Sequence, residues 1–378
     1  MKIVITGAGG LLGWHAAVRL HAQNCAARFR GEDAPHEVVA LDRSGFSDPT
    51  SLANAVRGAD VILHFAGVNR APDAEMADAN PAIARTLVDA CHATGATPHI
   101  VYANSTHAGS DTVYGRSKSG AAAVFSSFTD TFTDLILPHI FGECARPDYN
   151  NVTATFIDRI IRGEKPEVNP DGRVSLLHAG RAAQLAIDAG LAGVAGQSQP
   201  EGRDTTVGEL LAMLKGFHAD YSANIFPALD DPFHVALFNS YRTALYPGGF
   251  PRPLKLNTDP RGTLFEAVKG GSGGQTFLSW TETGVTRGDH FHLNKVERFL
   301  VLEGQATLRI RRALFPDVWT YEVSGAAPAP VDMPTLHTHS IENTGSTPLL
   351  TLFWTHEVFD PAAPDTYADP VLQKGRPC

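Results

Sequence analysis

Cysteine is scarce in this chain. Four stand far apart among 378 residues, at Cys25, Cys91, Cys144 and Cys378, which excludes a disulfide framework and a thiolate metal knuckle. They read as free thiols in a reducing compartment. Basic residues never cluster and the formal charge is −9, so nucleic acid is excluded as an expected partner. No hydrophobic run reaches membrane-spanning length, and no charged, apolar leader precedes Met1-Lys2-Ile3-Val4-Ile5, which reads directly as a strand. Together these absences predict a soluble cytoplasmic protein with no membrane contact. The length leaves room for two domains with full cores.

What is present is concentrated in a few stretches. The densest is GVTRGDHFHLNKVERFLVLEG, from Gly284 to Gly304, which holds His290, His292 and Glu297. Side chains two apart on a strand share a face, so His290 and His292 point together while Phe291 points away. Glu297 can return on the next strand if 293–296 forms the bend. His339 follows a second apolar run, in PTLHTHSIEN. Three imidazoles and a carboxylate suit a borderline divalent metal such as zinc.

At the other end, a β-branched run at 2–6 leads into Gly7-Ala8-Gly9-Gly10-Leu11-Leu12-Gly13 and then a helical pattern at 14–23. Strand, glycine turn and helix in that order make a cradle for a dinucleotide pyrophosphate, through close backbone approach and free helix N–H groups. Residues 26–37 read as a loop. The strand at 38–41 ends at Asp42-Arg43, where an acid favours a free ribose 2′-hydroxyl and an arginine a 2′-phosphate; the expectation is NADPH through Arg43. A strand at 60–64 precedes the small-residue turn Ala66-Gly67, expected beside the nicotinamide. Helical spacing at 79–93 and a strand at 100–103 follow.

Tyr114 and Lys118 lie four apart, on one helical face. A lysine charge there is expected to lower the tyrosine pKa, readying the phenol for proton exchange with a carbonyl, with Ser105 bonded to the same oxygen. The run 135–140 reads as one strand. Arg146, Tyr149, Asn150, Asn151, Arg173 and Arg181 follow along the chain; the resemblance of the glycine turn and the Tyr114/Lys118 pair to sugar-nucleotide reductases implies that they contact a substrate's base or phosphates. Helices at 182–193 and 205–219 read as a substrate-capping subdomain. A Pro/Gly-rich linker at 246–253 separates domains 1–246 and 247–378. Alternating strands and turns after it suit an all-β barrel.

These motifs carry resemblances. Gly7, Gly10 and Gly13 with Ser105, Tyr114 and Lys118 resemble the extended short-chain dehydrogenase/reductase family, which implies a Rossmann-like α/β domain. The Gly284–Gly304 stretch, with Pro334, His339 and Asn343, resembles the two signatures of the cupins and implies a small jelly-roll barrel. Leu336 stands where the second signature usually has glycine. Asp259-Pro260-Arg261-Gly262 with Glu266 resembles the sugar 3,5-epimerase branch of the cupins, in which the position of His290 is a general base. A metal role and a base role for His290 conflict, and its three companion ligands favour the metal.

In order along nearly the whole chain, TGAGGLLG, HFAGVNR, YGRSK, DPRGTLFE, GDHFHLNKVERFLV and HTHSIEN resemble a family of bifunctional capsular polysaccharide enzymes. That resemblance implies C3 epimerisation of a UDP-linked 2-acetamido-2,6-dideoxy-hexos-4-ulose in the barrel. Reduction of the C4 ketone by NADPH in the first domain would follow, giving UDP-2-acetamido-2,6-dideoxy-L-talose. The resemblance also implies a homodimer. Lys255, Asp259 and Glu266 are the candidate C3 bases. The alternative is a single-activity reductase or epimerase whose barrel serves only assembly.

Overall fold

The computed structural model describes residues 1–372; the expectation for Cys378 falls outside the described residues. The chain divides into two compact units, 1–155 with 168–208, and 156–167 with the residues from 209 onward.

The first unit is built on β1 (Lys2–Thr6), β2 (Glu37–Leu41), β3 (Val61–His64), β4 (His99–Ser105) and β5 (Phe132–Leu137). Three short strands follow: β6 (His139–Phe141), β7 (Arg173–His178) and β8 (Gly196–Ser198), with β9 (Arg203–Thr206) after them. The six-stranded sheet runs β2-β1-β3-β4-β5-β8 and every pairing in it is parallel. Such a sheet is covered on both faces, which is why β1 is apolar at consecutive positions. On one face Val4, Ile62 and Ile100 pack with Leu87 and Phe125; on the other, Ile3, Ile5 and Val101 pack with Leu20, Ala186 and Ile187. The helices of this part are α1 (Leu11–Phe29), α2 (Arg43–Ser47), α3 (Pro49–Val56), α4 (Asp73–Thr94) and α5 (Val113–Phe128), with α7 (Ala179–Ala192) beyond α6 (Val152–Ile161); α1, α4, α5 and α7 carry the residues just named. The division between the units falls inside α6.

Three expectations need correction here. Helix α1 runs on to Phe29 instead of giving way to a loop at 26, because Cys25 and Ala27 are buried on it. The run 135–140 is two strands: β5 stays in the main sheet, while β6 joins the three-stranded sheet β6-β7-β9. Pro138 stands between them, where a missing N–H ends the first ladder. Helix α7, expected in a cap, instead buries Ala182, Ala183, Ala186 and Ile187 against the main sheet.

The second unit contains α8 (Val207–Ser222), β10 (Ile225–Phe226) and α9 (Pro232–Thr243), then strands β11 (Asn257–Asp259), β12 (Gly262–Leu264) and β13 (Lys269–Gly270). Two antiparallel sheets follow. One is built from β14 (Gln275–Thr281), β16 (Glu297–Glu303), β19 (Val331–Met333) and β21 (Leu349–Thr355). The other contains β15 (Thr286–Phe291), β17 (Gln305–Arg312), β18 (Val318–Ser324), β20 (His337–Asn343) and β22 (Tyr367–Ala368). Their orders are β14-β21-β16-β19 and β18-β17-β20-β15-β22.

The expected division at 246 differs from these units, since α8 and α9 group with the β-rich half. The reason is a buried polar network. Arg298 donates to both carboxylate oxygens of Asp332, at 2.6 and 2.9 Å, and to Asn224 Oδ1 at 2.7 Å. The hydroxyl of Tyr221 on α8 donates to Asp332, and Arg242 on α9 donates to the Met333 carbonyl at 3.0 Å. A buried guanidinium needs all of these partners. No helix among the described residues is long and apolar enough to cross a membrane.

Candidate functional site

In the first unit the glycine turn is required by space. Gly7 has φ +70, and a Cβ on it would sit 2.7 Å from Ala66 N; one on Gly13 would sit 2.2 Å from Gly7 O. Helix α1 starts from Gly10 with no side-chain cap, so its first N–H groups face outward for an anion. Gly67 lies against Asn80, whose side chain accepts from Val68 N at 2.8 Å and donates to Val68 O at 3.1 Å. The Ala66–Gly67 turn is thereby pinned beside Gly7. At the end of β2, Asp42 caps α2, accepting from Gly45 N at 2.8 Å and Ser44 Oγ at 2.7 Å. Those two bonds hold its carboxyl below the usual range. Arg43 is exposed.

Tyr114 sits in the first turn of α5, which Thr112 caps by accepting from Gly115 N at 3.0 Å. Its hydroxyl donates to Asn69 Oδ1 at 3.3 Å. Asn69 is held in turn, its carbonyl accepting from Asn150 Nδ2 at 3.0 Å. An open pocket of about 580 Å³ lies here, lined among others by Asn69, Arg70, Asp111, Tyr114, Arg116 and Asn150. Burial pushes the Tyr114 phenol up, and the bond to Ser105 pulls it the other way. The expected lowering by Lys118 is therefore corrected. Lys118 Nζ donates to Ala103 O at 2.7 Å and lies 4.2 Å over the Tyr102 ring, and burial takes its pKa down to about 7. A lysine only partly charged near neutral pH cannot hold the phenol ionised.

Of the candidate substrate contacts, Asn150 lines the pocket. Arg146 stacks 5.3 Å over the exposed Tyr149 ring. Asn151 is structural: it donates to Ile140 O at 3.0 Å and accepts from Ala154 N at 2.9 Å. Arg173 and Arg181 are exposed. Asn69 is the residue that sequence reasoning passed over, because an asparagine in a turn carries no signal of the tyrosine it will meet.

In the second unit, His290 and His292 from the β15 end, Glu297 from β16 and His339 from β20 converge, their ligand atoms all within 4.8 Å of one another. Glu297 Oε2 lies 3.1 Å from His292 Nε2 and 3.3 Å from His339 Nε2. The outer nitrogens are tied to carbonyls, His292 Nδ1 to Asp365 O at 2.5 Å and His339 Nδ1 to His337 O at 3.3 Å. A carbonyl on Nδ1 leaves Nε2 facing inward, the arrangement in which metal-binding histidines are usually held. Until an ion binds, burial opposes a proton on His292, but the Glu297 carboxylate beside it outweighs burial and favours one. Burial, with the His339 and His292 rings beside it, takes the His290 pKa down to about 3, so the imidazole is neutral at ordinary pH. Burial alone would raise Glu297, but the two facing imidazoles outweigh it and hold the carboxyl well below its usual range. The four residues therefore fit a divalent metal.

Two details of local backbone bring the ligands together. A bulge between Gly288 and His290, with Asp289 at φ 57, sets the register of β15 against β20. Leu336, at the position where the resemblance expects glycine, has φ 61. Its buried side chain, and the bond from its N–H to His292 O at 2.8 Å, hold it in that left-handed conformation.

A second group, His15, Glu143 and His178, also lies within metal-binding reach. Here His178 Nε2 is bonded to Glu143 Oε2 at 2.7 Å, while His15 Nε2 faces the Glu143 carbonyl at 3.3 Å. His15 Nδ1 has no hydrogen-bond partner among the described residues. The inward nitrogen of His15 is thus the donor, and the outer one has no carbonyl to hold a proton. This group fits an internally hydrogen-bonded cluster better than a metal.

The three candidate bases are not brought to the four-residue cluster by any hydrogen bond or ion pair among the described residues. Asp259 pairs with Arg261 at 2.6 Å at the tip of an exposed hairpin. Glu266 pairs with Lys269 at 3.1 Å, and Lys255 is exposed.

Fold and sites together define an NAD(P)-dependent oxidoreductase of the Rossmann type joined to an all-β domain. Residues 3–185 match the NAD dependent epimerase/dehydratase family, and residues 257–367 match the polysaccharide biosynthesis C-terminal domain. A Pseudomonas aeruginosa protein named UDP-2-acetamido-2,6-beta-L-arabino-hexul-4-ose reductase is 30% identical over 97% of this chain and 98% of its own length. The crystal structure of the capsular polysaccharide assembling protein CapF from Staphylococcus aureus is 31% identical, with a TM-score of 0.60, covering 98% of this chain and all of that one (100%). A Bacillus cereus UDP-N-acetylglucosamine 4-epimerase shares the fold at 18% identity and a TM-score of 0.51, over 66% of this chain and 97% of its own. The chain belongs to the CapF-type family of capsule-biosynthesis enzymes.

Proposed function

We propose that this chain acts in two steps on a UDP-linked 2-acetamido-2,6-dideoxy-hexos-4-ulose. The β-rich unit, read as a cupin jelly-roll, inverts C3. The first unit then reduces the C4 ketone, giving UDP-2-acetamido-2,6-dideoxy-L-talose. The observation that carries this reading is the presence of two separately built sites in one chain, in a family whose P. aeruginosa member is named a 4-keto-sugar reductase.

The order follows from chemistry. A C3 proton is acidic only while C4 is a ketone, so epimerisation precedes reduction and reduction locks the new configuration. In the first unit the Tyr114 hydroxyl, kept protonated by burial, gives its proton to the C4 oxygen, and Ser105 shares that oxygen. Gly7, Gly10, Leu11, Leu12 and Gly13 would hold the pyrophosphate, with Ala66, Gly67 and Lys118 nearer the nicotinamide. NADPH, when bound, supplies the hydride. NADPH over NADH is supported by Asp42, whose carboxylate is engaged as a helix cap while Arg43 is exposed. In the second unit His290, His292, Glu297 and His339 would hold zinc or another divalent metal. Such an ion, when bound, supplies positive charge for Lewis-acid chemistry or fastens the two sheets.

A homodimer is proposed as well; Phe277, Leu278 and Trp280 on the edge strand β14 are exposed apolar surface that a second copy would cover. A cytoplasmic location suits a nucleotide-sugar substrate.

A second reading is a reductase whose barrel is structural. It is favoured by the exposed, partly ion-paired state of Lys255, Asp259 and Glu266. One experiment separates the two: Tyr114→Phe protein is incubated with the UDP-4-keto sugar in deuterated water and C3 is followed by NMR. Exchange supports the bifunctional reading. Metal-loaded protein without exchange leaves the single-activity reductase.

A further inference from the structure

Residues 360–371 run beside the metal cluster as a strap. Its strand β22 pairs with β15, setting Ala368 opposite His290 and Tyr367 opposite Phe291. Asp369 N donates to Asp289 O at 2.8 Å, and the Asp369 carboxylate accepts from Arg311 at 2.6 Å and Thr338 at 2.7 Å. Near the start of the strap stands Asp365, a non-glycine residue at φ 41. Its carbonyl accepts from His292 Nδ1 at 2.5 Å. Its carboxylate accepts three successive backbone N–H groups, from Leu293 at 2.9 Å, Asn294 at 2.8 Å and Lys295 at 2.9 Å. Lys295 Nζ closes the arrangement by donating to Pro364 O at 2.8 Å.

Residues 293–295 are the bend that joins His292 to Glu297. One residue therefore grips both sides of the ligand set. We propose that Asp365 is a positioning residue for the metal site: its carbonyl selects the His292 tautomer, and its carboxylate sets the bend that returns Glu297. A left-handed backbone at a non-glycine position is costly and persists where surrounding bonds over-determine it. Here four hydrogen bonds do so, and the φ of 41 in turn lets carbonyl and carboxylate face the same bend. The inference rests on the metal reading of the four-residue cluster.

The test measures zinc affinity of the full-length protein by competition with a chromophoric chelator, for wild type, Asp365→Ala, Asp365→Asn and Asp360→Ala. Asp365→Ala keeps the backbone carbonyl on His292 and removes only the carboxylate that sets the bend returning Glu297; a loss of about 10–100-fold in zinc affinity, the range for outer groups that orient metal ligands, is the result expected. Asp365→Asn keeps one acceptor oxygen and should fall between, which also serves if the alanine variant does not fold. Asp360 lies on the same strap but among the described residues its side chain bonds locally, to Ala362 N at 2.8 Å, and its variant should bind as wild type does. Melting temperatures of metal-free and metal-loaded protein give a second readout. A purely structural role lowers both equally, whereas a positioning role narrows the gap between them. Equal zinc affinity in wild type and both Asp365 variants overturns the inference alone. Wild-type protein that binds no zinc overturns the metal reading beneath it.

Discussion

The Tyr114 hydroxyl donates to Asn69 Oδ1 at 3.3 Å across the pocket mouth. The acid of the proposed reduction thus rests on a neutral amide until a substrate oxygen takes its place. A hydrogen bond of this kind is worth about 1 kcal/mol net, and it is a resting-state bond that the substrate replaces, so Asn69→Ala should change kcat by less than about tenfold. Tyr114→Phe removes the proton donor and should lower it by about 10²–10⁴. NADPH oxidation with the UDP-4-keto sugar checks both, and an unchanged rate in Tyr114→Phe would remove the phenol from the mechanism.

Lys118 gives a pH dependence of stability. Burial lowers its pKa from 10.5 to about 7 in the folded chain. Between those values the unfolded chain holds more protons than the folded one, so this group makes stability rise with pH across the window from about 7 to 10.5. Lys118→Met keeps the apolar stem and loses the titration. The variant should exceed wild type in melting temperature most at pH values below the folded pKa, and the difference should shrink as pH rises through the window. A difference that grows with pH would show that the lysine is charged and paired.

Metal removal should act on the second unit. Glu297 is the carboxylate that both His292 and His339 face. Glu297→Gln should lose stoichiometric zinc, and a strong chelator should lower the melting temperature of wild type but leave that of the variant unchanged. Elemental analysis and thermal denaturation give the two readings. A variant that retains one zinc per chain would place the ion elsewhere.

The Arg298–Asp332 pair is buried on both sides, at 1% and 0% side-chain exposure. Taking away one partner leaves an uncompensated charge in the interior, a loss of about 3–5 kcal/mol. Asp332→Ala should therefore be strongly destabilising by chemical denaturation. The change should appear in the unfolding of the unit that contains α8, α9 and the two antiparallel sheets. A loss under about 1 kcal/mol would mean that water reaches Arg298.

Much of the site was legible because its signals are local. A period of two put His290 and His292 on one face, and glycines at 7, 10 and 13 marked a turn that leaves no room for a Cβ at Gly7 or Gly13. Tyr114 and Lys118 follow from helical spacing. Other features were not legible. Asn69 meets Tyr114 across 45 positions, and Asp365 meets His292 across 73; neither has a pattern of its own. The run 135–140 reads as a single strand because one proline does not say which sheet the next three residues will join.

The residue string by itself determined the order of strand and helix, the glycine turn, the Tyr114/Lys118 pair and the four metal-ligand candidates, since each is marked by a short local pattern. Only tertiary structure decided the environment of those groups. Burial moved Lys118 to about 7 and pushed Tyr114 up. It also gathered α8 and α9 around Arg298, and let Leu336 occupy a left-handed position at φ 61. Desolvation and long-range hydrogen bonding depend on what the rest of the chain brings near, and that is not written in any short stretch.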